Sequence, residues 1–189
     1  MQIAIAWVLL FASGCATVVI PPAHVAAPSR VYILDYGRHA SLLLPRDAGY
    51  VEYAFGHWKW FAEGRYDWYR VPFILFIPGQ STLSRRELGP IANTKEAQER
   101  AEAPIAHELI VEQASEKALL TRLDQRFQAA IQTRVDGPDH MEYVKDPDIY
   151  WGWHNSNTVT AEWVRELGAD VRGPTLISTF ELKPATSAN

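Results

Sequence analysis

Residues 30 to 56 break into three short apolar runs, RVYILDYG, HASLLLP and GYVEYAFG, each closed by Gly or Pro. Runs of this length with such punctuation read as strands, and the first two are close enough to make a hairpin. In the third, Val51, Tyr53 and Phe55 point one way while Tyr50, Glu52 and Ala54 point the other. Glu52 therefore stands apart from the bulky aromatic residues. A domain that begins in this way is built on an antiparallel sheet, and the rest of the chain must cover it.

The covering elements are helices. SEKALLTRLDQRFQAAIQTRV (115–135) repeats Leu119, Leu120, Leu123, Phe127, Ala130 and Ile131 at helical spacing, with Ser115 as an N-cap. From Thr158, TVTAEWVRELGAD sets Val159, Trp163, Val164 and Leu167 on one stripe, with Gly168 as the C-cap. HELIVEQA (107–114) and TLISTFEL (175–182) read as further strands. Residues 57–63 read as a short helical turn and VPFILFIPG (71–79) as a buried segment. Residues 81–104 are polar enough for a surface excursion, and 136–153 read as a loop from their Gly and Pro content. Together these make an α+β domain.

Before that domain, nearly every residue from Ile3 to Ile20 is apolar or small, about the minimum for a spanning helix and a match to the hydrophobic region of an export signal. ASGC, ending at Cys15, resembles a bacterial lipobox, in which the cysteine is acylated. Ala12 stands where that motif usually has Leu, and no Lys or Arg precedes it. An acylated lipoprotein, an uncleaved anchor and a cleaved export signal all remain open, and each brings the chain to a membrane. The expected organisation is a signal or anchor over 1–20, a Pro- and Ala-rich tether over 21–29, a folded domain over 30–184 and a tail over 185–189.

Cys15 is the only cysteine, so the domain has no disulfide, no thiolate metal cluster and no cysteine nucleophile. His57, His107, His140 and His154 are not at metal-binding spacings, and HELIVE has Val111 where a zinc-protease motif needs its second His. No metal and no cofactor are expected. A formal charge of -4, a pI near 5.9 and the absence of a basic run exclude nucleic acid as a partner.

The stretch WGWHNSNT (151–158) carries the candidate chemistry. Acyl transfer needs a nucleophile, a base within hydrogen-bond reach and a group that orients the base, and a helix N-terminus can add N–H donors for an oxyanion. Ser156 sits at such a terminus, with His39 as a base and Glu52 as its orienter if the fold brings them together. His154, Asn155, Asn157, Trp151 and Trp153 flank the same position as substrate contacts. In the bland alternative, Asn, Ser and Thr here are helix caps, His39 is a strand histidine and Glu52 a surface carboxylate.

VYILDYGRHASLLLP, YVEYAFGHWKWFA and SNTVTAEWVRELG, in that order, resemble the three blocks of a bacterial family of exported proteins and lipoproteins of unknown function. That family in turn is similar to circularly permuted papain-like hydrolases, the group of peptidoglycan endopeptidases and lecithin retinol acyltransferase. The resemblance implies a permuted papain-like domain with His39 as base, Glu52 as orienter and position 156 as nucleophile. The family's cysteine is here Ser156, and its tryptophan is Val159. A thiol titrates near about 8.5 and ionises beside a histidine, whereas a hydroxyl must lose its proton during attack. The implied function is a cell-envelope hydrolase or acyltransferase acting on an amide or ester, facing the periplasm, with peptidoglycan, peptide or lipid as substrate. The alternative is a catalytically inactive binding lipoprotein of the same fold; a substitution introduced to trap the protein is a third explanation for the serine.

Overall fold

Strands β2 (Pro28–Asp35), β3 (Ala40–Arg46) and β4 (Gly49–His57) form the antiparallel meander expected from the three apolar runs. The computed structural model describes residues 16–47, 49–64, 76–137, 139–176 and 179–185. Cys15 and the first part of VPFILFIPG lie outside the described residues. Val31, Ile33, Leu42, Leu44, Val51 and Tyr53 enter one core, while Tyr32, Leu34 and Leu43 enter a second on the opposite face. With both faces covered, VYIL and SLLL are continuous apolar runs rather than alternating ones. The β2–β3 hairpin turns at Gly37–Arg38, where the Tyr36 N–H donates to the His39 carbonyl at 3.0 Å. Gly37, at φ +81°, takes a loop position that suits glycine.

After β4 come a single helical turn, α1 (Trp58–Phe61), and β5 (Gly79–Leu88), which returns alongside β4. With β6 (Ile105–Glu112), β7 (Val135–Asp136) and β8 (Glu142–Tyr150), these strands make a seven-stranded antiparallel sheet in the order β6-β2-β3-β4-β5-β8-β7. Two expectations are corrected here. Residues 81–104 are not a surface excursion: they hold most of β5 and helix α2 (Thr94–Ala101), and β5 reads as polar because Thr82, Ser84 and Arg86 line a cavity. Residues 136–153 are not a loop, since they hold β8. Pro147 escapes the ladder because the β5–β8 register shifts between Gln80 and Ser81, a bulge that tolerates proline.

Helices α3 (Gln113–Ala129) and α4 (Ser156–Glu166) cover the first core with Leu119, Leu123 and Phe127 and with Val159, Ala161, Trp163 and Val164. Helix α2 covers the second through Ala97 and Ala101. Ser115 lies inside α3 rather than capping it, and no side chain caps that helix; the carboxylate of the preceding Glu112 accepts from the Ala26 and Ala27 N–H groups instead. Helix α4 ends as expected at Gly168, whose φ of +90° allows its N–H to bond Arg165 and that of Ala169 to bond Val164.

A small second sheet places β1 (Thr17–Ile20) between β9 (Asp170–Arg172) and β10 (Phe180–Leu182), antiparallel to the first and parallel to the second. Residues 17–20, expected as the end of a hydrophobic leader, are thus part of the folded domain. All four are β-branched, which favours a strand over a helix, and Val19 is fully buried. Of residues 21–29, expected as a tether, 21–27 connect β1 to β2 and Pro28 and Ser29 begin β2. No helix among the described residues is long and apolar enough to cross a membrane.

A chain begun at Arg30 loses β1, the start of β2 and the burial of Val19. Against a chain begun at Ala16 it should unfold with at least about 2 kcal/mol less stability, measured by urea denaturation.

Candidate functional site

Glu52, expected to orient a catalytic histidine, has other partners. It is 1% exposed, and its carboxylate accepts from Ser41 Oγ at 2.6 Å, Tyr36 Oη at 2.8 Å and Arg86 Nε at 2.6 Å. Arg86 extends the network to the Tyr36 hydroxyl at 3.2 Å and the Ala101 carbonyl at 2.5 Å. Burial of a charge is tolerable only when it is paired and hydrogen-bonded in this way. The network is the floor of a cavity of about 320 Å³ on the α2 side of the sheet, whose walls include His39, Phe61, Asp139 and Met141.

His39 faces this cavity. Its ring stacks on Tyr36 across the hairpin, with centroids 4.5 Å apart and planes 7° from parallel, and meets the edge of Phe61 at 5.4 Å. Neither ring nitrogen has a hydrogen-bond partner among the described residues. Burial pushes the imidazole pKa down to about 4, against an upward pull from Asp139 and Asp35. The ring is therefore neutral at pH 7, with one nitrogen a donor and the other an acceptor. It is held by aromatic contact and offers both polar atoms to a ligand.

Ser156 lies elsewhere. Along β3, Ala40, Leu42 and Leu44 face the core that α4 covers, and Thr160 of α4 donates to the Ala40 carbonyl at 3.1 Å. Ser41, by contrast, faces Glu52 and the cavity. The first turn of α4 is thus across the sheet from the Glu52 network, and no hydrogen bond joins Ser156 to His39. Ser156 is 2% exposed and lies beside Tyr150, whose own pKa burial raises to about 12. Asn155 caps the helix by accepting from the N–H groups of Asn157 at 2.9 Å and Thr158 at 3.1 Å, with Thr158 Oγ1 accepting from the Asn155 N–H at 2.8 Å. The Asn157 and Thr158 N–H groups at this helix start are thus engaged by the cap.

The expected substrate contacts are dispersed as well. His154 Nδ1 is 2.9 Å from the Ile149 carbonyl, and its ring meets Phe55 on the α4 side. Asn157 donates to the Leu176 carbonyl at 3.3 Å and leaves its Oδ1 buried without a partner. Trp151 and Trp153 are exposed and outside the cavity. Cys15 lies outside the described residues. Tyr36, Phe61, Arg86 and Asp139 were not singled out in the sequence; Tyr36, three residues before His39 across a glycine turn, was the one with a readable signal. Among the described residues no group of three or more His, Cys, Asp or Glu is placed to hold a metal.

Two substitutions test this geometry. Glu52→Ala leaves Arg86 buried without its counter-charge and should cost about 3–5 kcal/mol of stability, read by denaturant titration, with Glu52→Gln milder. In the unfolded chain the His39 imidazole takes up its proton near 6.5, in the folded chain only near 4. Between those values the unfolded state holds more protons, so stability falls as pH falls. His39→Gln should flatten that decline, measured as unfolding free energy from pH 7 to 4; His57 and His107, whose pKa values burial also lowers, keep part of the slope. Comparison with protein-family models, with curated proteins and with solved structures finds no match to this chain.

Proposed function

We propose that this chain is a membrane-tethered binding protein of the bacterial cell envelope, derived from a permuted papain-like scaffold and without hydrolase activity, whose ligand occupies the cavity beside His39. The observation that carries the reading is the contrast between two polar groups. His39 presents unbonded ring nitrogens to a cavity of about 320 Å³, within the size range of small-molecule sites. Ser156 is closed into the base of α4, 2% exposed, on the side of the sheet that this helix covers. A hydrolase needs the nucleophile and base within about 3 Å or one water, and these two face opposite sides of the sheet.

The cavity's chemistry describes its ligand. A neutral imidazole both donates and accepts, which suits a hydroxyl or amide. Phe61, Met141 and Ala54 offer apolar contact. Arg86 is held by Glu52 and the Ala101 carbonyl, so an anionic group would have to compete with those partners. A neutral polar fragment of a glycan, peptide or lipid fits best.

A fluorophosphonate probe should leave the wild type unlabelled, and Ser156→Cys should resist iodoacetamide in the folded protein. Screening peptidoglycan fragments, short peptides and lipids by thermal shift should find a ligand that stabilises the wild type, by about 2.7 kcal/mol at a hundredfold excess over Kd, and not His39→Ala. Fluorophosphonate labelling that requires both Ser156 and His39 would overturn the reading.

A further inference from the structure

The aromatic turn after β8 has no role in the cavity, yet it is firmly built. Trp151 and His154 exchange both backbone hydrogen bonds, at 3.1 and 3.0 Å, leaving Gly152 and Trp153 at the tip. Trp153 is 67% exposed, and Trp151 and Ile149 project beside it at 40% and 57%. Gly79 pairs with Tyr150, so the end of the apolar VPFILFIPG segment reaches the same end of this strand pair. There Phe76 is 84% exposed and Ile77 57%. Large apolar side chains gathered in this way mark a contact surface rather than ordinary solvent-facing structure.

The chain ahead of the described residues indicates what covers it. Residues 3–15 are almost wholly apolar, and β1 begins at Thr17 with no tether between. Thr17 Oγ1 donates to the Pro174 carbonyl at 2.7 Å. Leu176, at most about 7 Å of chain further on, accepts from the side chains of Asn155 and Asn157, and Asn155 also donates to the Gly152 carbonyl between the two tryptophans. The apolar segment thus enters the domain a few contacts from the aromatic turn.

We infer that Trp151, Trp153 and Ile149, with Phe76 and Ile77, seat in the interfacial layer of the lipid bilayer that the N-terminal segment enters, fixing the domain against the membrane. Tryptophan favours that layer because its ring is apolar and its N–H needs a polar partner. The charged residue nearest the turn in sequence, Asp148, is paired with Arg126, so the contact depends on apolar insertion and not on anionic lipid. A second weak attachment beside the N-terminal one makes membrane binding stable. This inference is independent of the ligand assigned to the cavity.

The test uses the full chain, wild type and the Trp151→Phe/Trp153→Phe double variant, floated with phosphatidylcholine vesicles carrying brominated acyl chains. The exchange alters two exposed rings and keeps their apolar character. The difference between the two emission spectra isolates these tryptophans from the other five. The expected result is a difference spectrum quenched severalfold by brominated lipid and protected from aqueous acrylamide, unchanged by added salt. The inference fails if the chain does not float, if the difference spectrum stays open to acrylamide, or if it is shielded from both quenchers, which would assign the face to a second copy of the chain.

Discussion

The Glu52 carboxylate ties together several neighbouring elements of the large sheet. It lies on β4 and takes bonds from β3 through Ser41, from β5 through Arg86 and from the β2–β3 turn through Tyr36, while Arg86 reaches the end of α2. Such a pair adds little net stability over an apolar substitute, because desolvation offsets the Coulomb gain. Its effect is on register. A one-residue slip of β4 would turn Glu52 into the core and Val51, Tyr53 and Phe55 away from it. This side chain, together with the apolar face behind it, holds three strands and the cavity floor in one alignment.

Much of the α+β architecture was legible in the chain. The three N-terminal runs, the strand expected over 107–114 and found over 105–112, and the stripes on α3 and α4 are periodic signals, and burial follows them. β5 was illegible for a physical reason: one of its faces looks into a polar cavity, so STLSRREL alternates between Arg or Leu and Thr, Ser or Arg and resembles a surface segment. β8 was hidden by Pro147 and by the Gly and Pro residues of the turn before it. TVVI, four β-branched residues, carried a strand signal that the apolar stretch ahead of it obscured.

The candidate site was legible in its parts and not in its assembly. The glycine turn before His39 and the capping residues before α4 are local, and both occur where the sequence places them. Their relation depends on which side of the sheet each meets. The resemblance to a hydrolase family assigned three residues to one centre. The strand parity of β3 and the packing of α4 set Glu52 and Ser156 on opposite faces. Parity of this kind depends on which helix covers which face, and no short motif carries it.

The position of β1 also bears on what proteolysis would do. The exposed connection at 21–27 is where a protease would cut most readily, and in a protein whose tether preceded its domain such a cut would set the domain free. Here the cut falls behind a strand that is hydrogen-bonded on both edges, to β9 and to β10. The two pieces would remain one particle, and the domain would stay attached to whatever residues 3–15 engage. Release of the domain from anything that residues 3–15 engage would require cleavage before Thr17, or unfolding.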